Sequence, residues 1–243
     1  MNIGVIFAGG SGRRMHSKDK PKQFLEMYGK PIIIYTLEHF ENSPDIDAVV
    51  ISCIEEWIPY LESLIYKYRI EKVKKIVPGG KTGQLSIYNG LNAAQEVSGG
   101  DKSIVLIHDG VRPLINTGLL SDCINSVKNY GNAITAGIVT ETIAVVDEEG
   151  YVTNLPERKD SRVAKAPQCF WLDDILTAHN NALTEGRDDY IDSCSIMKHY
   201  GHRLHMIVGP AENIKITTPE DFYIMRAFIE AKENAQMYMP EEQ

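Results

Sequence analysis

The residues from Gly9 to Lys22 combine the two kinds of group that hold polyphosphates. Gly9, Gly10 and Gly12 follow directly on the short apolar segment Ile3 to Ala8, and Arg13, Arg14, Lys18, Lys20 and Lys22 follow within ten residues. Glycines let a backbone turn sharply and approach a ligand closely, leaving N–H groups free to meet anionic oxygens. The cations stand out because the chain as a whole carries a formal net charge of -8. Two familiar phosphate loops do not fit. A dinucleotide fingerprint would need a third glycine where Met15 stands, and no Lys-Ser or Lys-Thr pair closes the loop as a P-loop requires. A glycine turn flanked by solvated cations is the plainer alternative.

Other segments hold candidate chemistry further along. Pro78-Gly79-Gly80-Lys81 is a turn of small residues, with Ser86 close behind to offer a hydroxyl. His108-Asp109-Gly110-Val111-Arg112-Pro113 ends an apolar run, where open α/β sheets place their ligands. There Asp109 is suited to orienting a hydroxyl or holding a magnesium ion, and Arg112 to meeting an anion. An Asp–Arg pair that only braces the loop is the structural alternative.

Five motifs in order, FAGGSGRRM with PKQF, the glycine pair at Gly79-Gly80, HDGVRP, APQCF (Ala166 to Phe170) and NIKITTPED (Asn213 to Asp221), span nearly the whole chain. Together they resemble the cytidylyltransferases that act on methylerythritol phosphate and, in a sister branch, on ribitol 5-phosphate. The resemblance implies CTP-dependent transfer of CMP to a polyol phosphate, with magnesium and release of pyrophosphate. It assigns Arg14 and Lys22 as transition-state stabilisers, with Phe7, Ala8, Gly9, Gly10, Gly12, Arg13, Gly79, Gly80, Ser86 and Asp109 around the nucleotide. Arg112 and Thr142 fall on the acceptor side. Arg158, nine residues before Pro167, and Lys215 are the cations that grip and position the acceptor. In the resembled family a β-arm crosses to a second subunit, so a homodimer is implied.

Such a reaction builds negative charge on phosphoryl oxygens and the leaving group. Fixed cations and a divalent metal are therefore the useful tools, and no covalent nucleophile is needed. His108 reads as structural, because an attacking phosphate is already ionised. Three positions depart from the pattern. Gly83 replaces an arginine, and Ala166 and Ile191 replace threonines of the methylerythritol branch. Gly83 bears on the nucleotide loop, whereas Ala166 and Ile191, with PKQFLEMYGKPII and NIKITTP, lean towards a ribitol-like acceptor, CDP-ribitol as product and cell-surface polymer assembly; isoprenoid synthesis is the alternative. A CTP-sensing module without turnover, and a nicotinamide-dependent oxidoreductase, are readings from other classes.

The elements that must position these residues follow from pattern. Apolar runs at Ile3 to Ala8, Asp47 to Cys53, Lys74 to Val77, Ser103 to His108 and Ala133 to Val139 alternate with helical stretches at Pro31 to Phe40, Glu55 to Tyr68, Thr82 to Ala94 and Gly118 to Tyr130. That alternation predicts an α/β three-layer Rossmann-like sandwich with a mainly parallel sheet. Thr142 to Val146 and Tyr151 to Leu155 predict a projecting hairpin arm at about 140–163, either crossing to a partner or lying as a local flap. A strand near Lys165 to Phe170, helices near Asp173 to Leu183 and Asp192 to Tyr200, a strand near Arg203 to Val208 and a helix after Thr218-Pro219 complete one domain over 1–236, with a polar tail at 237–243.

Bulk properties narrow the setting. A pI near 5.4 argues against a general nucleic-acid surface, and no apolar run has membrane-spanning length. The opening residues read as a strand and not as a signal peptide. Cys53, Cys123, Cys169 and Cys194 lack C-x-x-C spacing, so free thiols in a cytoplasmic protein are expected.

Overall fold

The structure is a computed structural model that describes residues 1–10 and 20–235. The elements run β1 (Asn2–Ala8), β2 (Glu26–Met27), β3 (Lys30–Pro31), α1 (Ile32–Asn42), β4 (Ala48–Cys53), α2 (Ile58–Tyr68), β5 (Val73–Pro78) and α3 (Gly83–Ser98). Then come β6 (Ile104–Asp109), α4 (Thr117–Tyr130), β7 (Asn132–Ile138), β8 (Val145–Val146), β9 (Val152–Asn154) and β10 (Arg162–Trp171). The chain continues through α5 (Leu172–Thr184), α6 (Ser193–His199), β11 (Met206–Val208) and α7 (Pro219–Ala235). Each helix predicted from periodicity is present. Pattern alone missed the two-residue β2 and β3, whose antiparallel pairing is too short to leave a periodic signature.

Among the described residues, seven strands form one sheet in the order β11-β7-β10-β6-β1-β4-β5. β1 pairs in parallel with β4 and β6, whereas β10 lies antiparallel between β6 and β7. The chain therefore leaves β1 towards one edge and returns to its other side at β6. That reversal of order opens a crevice at the carboxyl ends of β1 and β6, the place where such sheets bind ligands.

Alternation along the strands divides the core into two layers. Ile6 of β1 packs with Phe24, Phe40 and Leu37 beneath α1, α2 and α4. Val5 packs with Val50, Leu91 and Phe170 beneath α3 and α5. A smaller cluster, including Met27, Val111, Ile216 and Met225, seats α7 against the loop that follows β6. Helix starts follow sequence chemistry: Thr82, Asn116 and Asp192 each accept a backbone N–H through a side-chain oxygen, a cap that contributes about 1 kcal/mol.

The predicted hairpin is present as β8 and β9, paired antiparallel. Asp147 closes its turn by accepting from the backbone N–H groups of Glu149 and Tyr151. All four cysteines are free thiols, and no helix among the described residues is long and apolar enough to cross a membrane.

Candidate active site

The glycine loop leaves the end of β1. Gly12, Arg13 and Arg14 lie outside the described residues, but both flanks of the loop are fixed. After it, a short 3-10 turn, Lys22–Phe24, is pinned back to β1 because buried Gln23 donates through Nε2 to the Ala8 carbonyl at 2.6 Å. Phe24 stacks on Trp57 with ring centroids 5.0 Å apart. These anchors bring Lys22 over the first glycines: a Cβ on Gly10 would lie 3.7 Å from the Lys22 Cε.

Gly9 meets the second glycine pair. A Cβ on Gly9 would stand 2.9 Å from the Ser86 Oγ, and one on Gly80 only 2.3 Å from the Leu85 Cβ, so neither position has room for a side chain. The Gly80 N–H donates to the Ser86 Oγ at 3.0 Å, and the Ser86 hydroxyl donates to the Thr82 carbonyl at 3.0 Å. Ser86 therefore shapes the cradle. The pair joins β5 to α3.

The loop after β6 is clamped from several elements. Thr36 donates to the Gly110 carbonyl at 3.1 Å, His39 to the Pro113 carbonyl at 2.9 Å, and the Ile216 N–H to the Val111 carbonyl at 2.9 Å. His108 is fully buried and donates through Nε2 to the Arg112 carbonyl at 3.1 Å. Burial pushes its pKa down to about 4, so it is a neutral donor with a structural role, as expected.

Asp109 stands at the centre of this arrangement. Its Oδ2 accepts from the Arg112 Nε at 2.8 Å, and its Oδ1 pairs with the Lys215 Nζ at 2.5 Å. Burial alone would raise the carboxyl pKa, but Lys215 and Arg112 outweigh it and hold the group below its usual range. Lys215 also lies 5.7 Å from the centroid of the Phe7 ring, and Phe7 and Asp109 are register partners on β1 and β6. Phe7, Asp109, Arg112 and Lys215 thus share one wall, and the bracing pair foreseen at Asp109–Arg112 is real.

A cavity of about 310 Å³ opens on that wall. Gly83, Ala166 and Ile191, the three positions that depart from the resembled pattern, all line it. Lys165, Gln168 and Asp192 also line it and were not singled out from sequence. Gln168 donates to the Asp192 Oδ2 at 3.0 Å and accepts the Cys194 N–H at 2.7 Å, tying β10 to α6. A larger depression of about 530 Å³ along α2 and β5 contains none of the predicted residues.

Thr142 and Arg158 do not reach this cavity within the chain. Both are exposed, and Arg158 donates to the Thr140 carbonyl at 3.0 Å beside the arm. No group of three His, Cys, Asp or Glu side chains among the described residues is placed to hold a metal. A magnesium ion needs fewer protein ligands, taking one or two carboxylates and completing its octahedron with phosphate oxygens and water. Asp109 and Asp192 are the carboxylates that line the cavity.

Comparison with known proteins gives the family and the fold. The family model for 2-C-methyl-D-erythritol 4-phosphate cytidylyltransferase (IspD) matches residues 3–231. This chain belongs to that family. A ribitol-5-phosphate cytidylyltransferase of Vibrio parahaemolyticus is 51% identical over 98% of this chain and 100% of its own length. A 2-C-methyl-D-erythritol 4-phosphate cytidylyltransferase of Clostridium botulinum is 38% identical over 94% and 97%. Among solved structures, 4-diphosphocytidyl-2C-methyl-D-erythritol synthase from Anaerococcus prevotii superposes with a TM-score of 0.82 at 26% identity, covering 94% of this chain and 96% of that one.

Proposed function

We propose that this cytidylyltransferase transfers CMP from CTP to D-ribitol 5-phosphate, forming CDP-ribitol and pyrophosphate. The observation that carries the choice of acceptor is the convergence of Ala166 and Ile191 on one cavity. Where the methylerythritol branch presents threonine hydroxyls, this chain presents a methyl group and an isoleucine. The identity of 51% to a ribitol-5-phosphate cytidylyltransferase, against 38% to a methylerythritol phosphate enzyme, points the same way.

In the reaction a phosphate oxygen of the acceptor bonds to the α-phosphorus of CTP as the bond from that phosphorus to the β-phosphate bridging oxygen breaks. The electron pair leaves with pyrophosphate. Phe7, Ala8, Gly9, Gly10, Gly12 and Arg13 hold the triphosphate, while Gly79, Gly80 and Ser86 form the close wall for cytosine and ribose. Lys22 and Arg14 offset charge on the transferred and leaving phosphates, where fixed cations act most strongly. Arg112 and Lys215, held on either oxygen of Asp109, position the acceptor without reorganising. Asp109 would hold a magnesium ion, which would supply further neutralisation of the triphosphate.

The arm completes the acceptor site of a second subunit in this reading. Its exposed Val145, Val146, Tyr151, Val152 and Leu155 suit burial against a partner, and Arg158 and Thr142 then grip the acceptor phosphate in trans. Free thiols and a CTP substrate fit a cytoplasmic setting.

Pyrophosphate release with CTP and magnesium tests the assignment, comparing ribitol 5-phosphate, methylerythritol 4-phosphate and glycerol phosphate. Preference for ribitol 5-phosphate is expected; preference for methylerythritol phosphate overturns the acceptor. Lys22→Ala should lower turnover about a hundredfold or more while CTP affinity changes little. A loss confined to CTP binding would remove Lys22 from the transition state.

A further inference from the structure

We infer that Lys165 is an additional phosphate-binding cation of this cavity, gripping the phosphate of the acceptor. The inference rests on the proposed function only in naming that phosphate as the acceptor's. β10 pairs with β7 at Ala164↔Ala136 and resumes at Gln168↔Ile134, so β10 carries two extra residues in a bulge that contains Lys165. Bulges re-aim side chains, and here the lysine is laid across the neighbouring strand. A Cβ on Gly137 of β7 would stand 2.8 Å from the Lys165 Cε and 3.3 Å from its Nζ. Only a glycine leaves that path open with the lysine undisturbed.

The ammonium that arrives there is poorly satisfied. Its Nζ donates to the Ala211 carbonyl at 3.3 Å, and Arg112 Nη1 donates to the Asn213 carbonyl of the same loop at 3.3 Å. Arg112 and Lys215 both pair with Asp109, whereas no carboxylate among the described residues forms an ion pair with Lys165. Asp192, the other carboxylate of the cavity, accepts from Gln168 and from Ser195. Burial and the nearby Arg112 push the Lys165 pKa down, with Glu212 opposing them more weakly. A half-buried cation beside another cation is relieved by an anion, and a phosphate monoester brings a charge of about -1.5 to -2 at neutral pH. Arg112, Lys165 and Lys215 then approach its oxygens from separate elements: the loop after β6, the bulge of β10 and the segment before α7.

Two measurements on the full-length protein test this. In steady-state kinetics at saturating CTP, Lys165→Met should raise the acceptor KM about tenfold to a hundredfold, the effect of one charge-assisted hydrogen bond, and leave the CTP KM within about twofold. Lys165→Arg should recover most of the loss. Gly137→Ala, which displaces the lysine stem, should raise the acceptor KM severalfold with Lys165 still present. An acceptor KM within about twofold of wild type in Lys165→Met overturns the proposal. Inorganic phosphate binding by phosphorus NMR titration needs no turnover. Phosphate bound about tenfold more weakly by Lys165→Met supports the site even where wild type rejects ribitol 5-phosphate, in which case only the acceptor assignment falls. Equal phosphate binding by the two proteins overturns the site whichever acceptor is used.

Discussion

The loop 109–113 and the hairpin 145–154 both carry or adjoin residues assigned to the acceptor, and they are held in opposite ways. Five carbonyls of the loop and both carboxylate oxygens of Asp109 are engaged by partners drawn from α1, β6, the loop itself and the segment before α7. The hairpin closes on itself through Asp147 and through Thr153, which donates to the Val145 carbonyl, and it exposes its apolar side chains. A two-stranded hairpin alone is marginal in water. The loop is thus fixed before any substrate arrives, whereas the hairpin has the composition of a surface that gains order against a partner. One region is held rigidly within the chain, and in the proposed dimer the other would supply recognition that depends on assembly.

Asp109→Ala should break the comparison most severely. It leaves Arg112 and Lys215 without their counter-charge in a largely buried wall, for which a loss of about 3 kcal/mol is expected, tempered by the partial exposure of Lys215. Urea unfolding reads this directly, and an unchanged midpoint would mean the clamp does not depend on Asp109. No arm substitution should cost as much.

Acid should separate the regions next. His108 has a folded pKa lowered to about 4, so its neutral form is favoured in the fold and the unfolded chain binds the extra proton first. Its contribution is complete above the unfolded value near 6.5 and is lost as pH falls from there to about 4, roughly 3 kcal/mol in all. Asp109 acts lower on the scale: its depressed carboxyl stabilises above the unfolded value, and that share disappears as pH falls through the folded one. His179, buried in the other core layer with a pKa also near 4, adds a fall of the same shape, and His179→Phe should remove it. Flat stability between pH 7 and pH 4 would contradict the burial of both rings in the neutral form.

The arm calls for a kinetic test. Arg158→Ala should leave unfolding within about 0.5 kcal/mol of wild type, because the side chain is exposed, yet raise the acceptor KM about tenfold. Mixing it with Lys22→Ala should restore part of the activity through hybrid dimers. Absence of restoration would keep the hairpin as a flap of its own subunit. The smallest effect is expected at Gly83, where a Cβ would meet nothing within 4 Å. Gly83→Arg should fold as wild type and lower the CTP KM severalfold by adding a cation at the cavity; an unchanged KM would place the triphosphate away from this edge.

Much of the site was legible because its motifs are local. The glycines, and Asp109 with Arg112, are read within a few residues of one another. Lys165 was not legible, although it lies in a quoted neighbourhood. Its direction depends on a bulge that only the pairing of β10 with β7 reveals. Gln168 and Asp192 escaped for a similar reason: each is an ordinary polar residue until β10 and α6 meet.

By itself the sequence determined the alternation of strand and helix, the glycine cradle and the presence of a hairpin, since these follow from short-range periodicity and backbone freedom. It also carried the family motifs in order. Tertiary structure alone decided that β10 enters antiparallel between β6 and β7, that Lys215 lands on Asp109, and that Gly83, Ala166 and Ile191 face one cavity. Periodicity records which face of a strand is buried, but not its direction or its neighbours. Those depend on burying both faces of the sheet at once, a condition that residues far apart in the chain satisfy together.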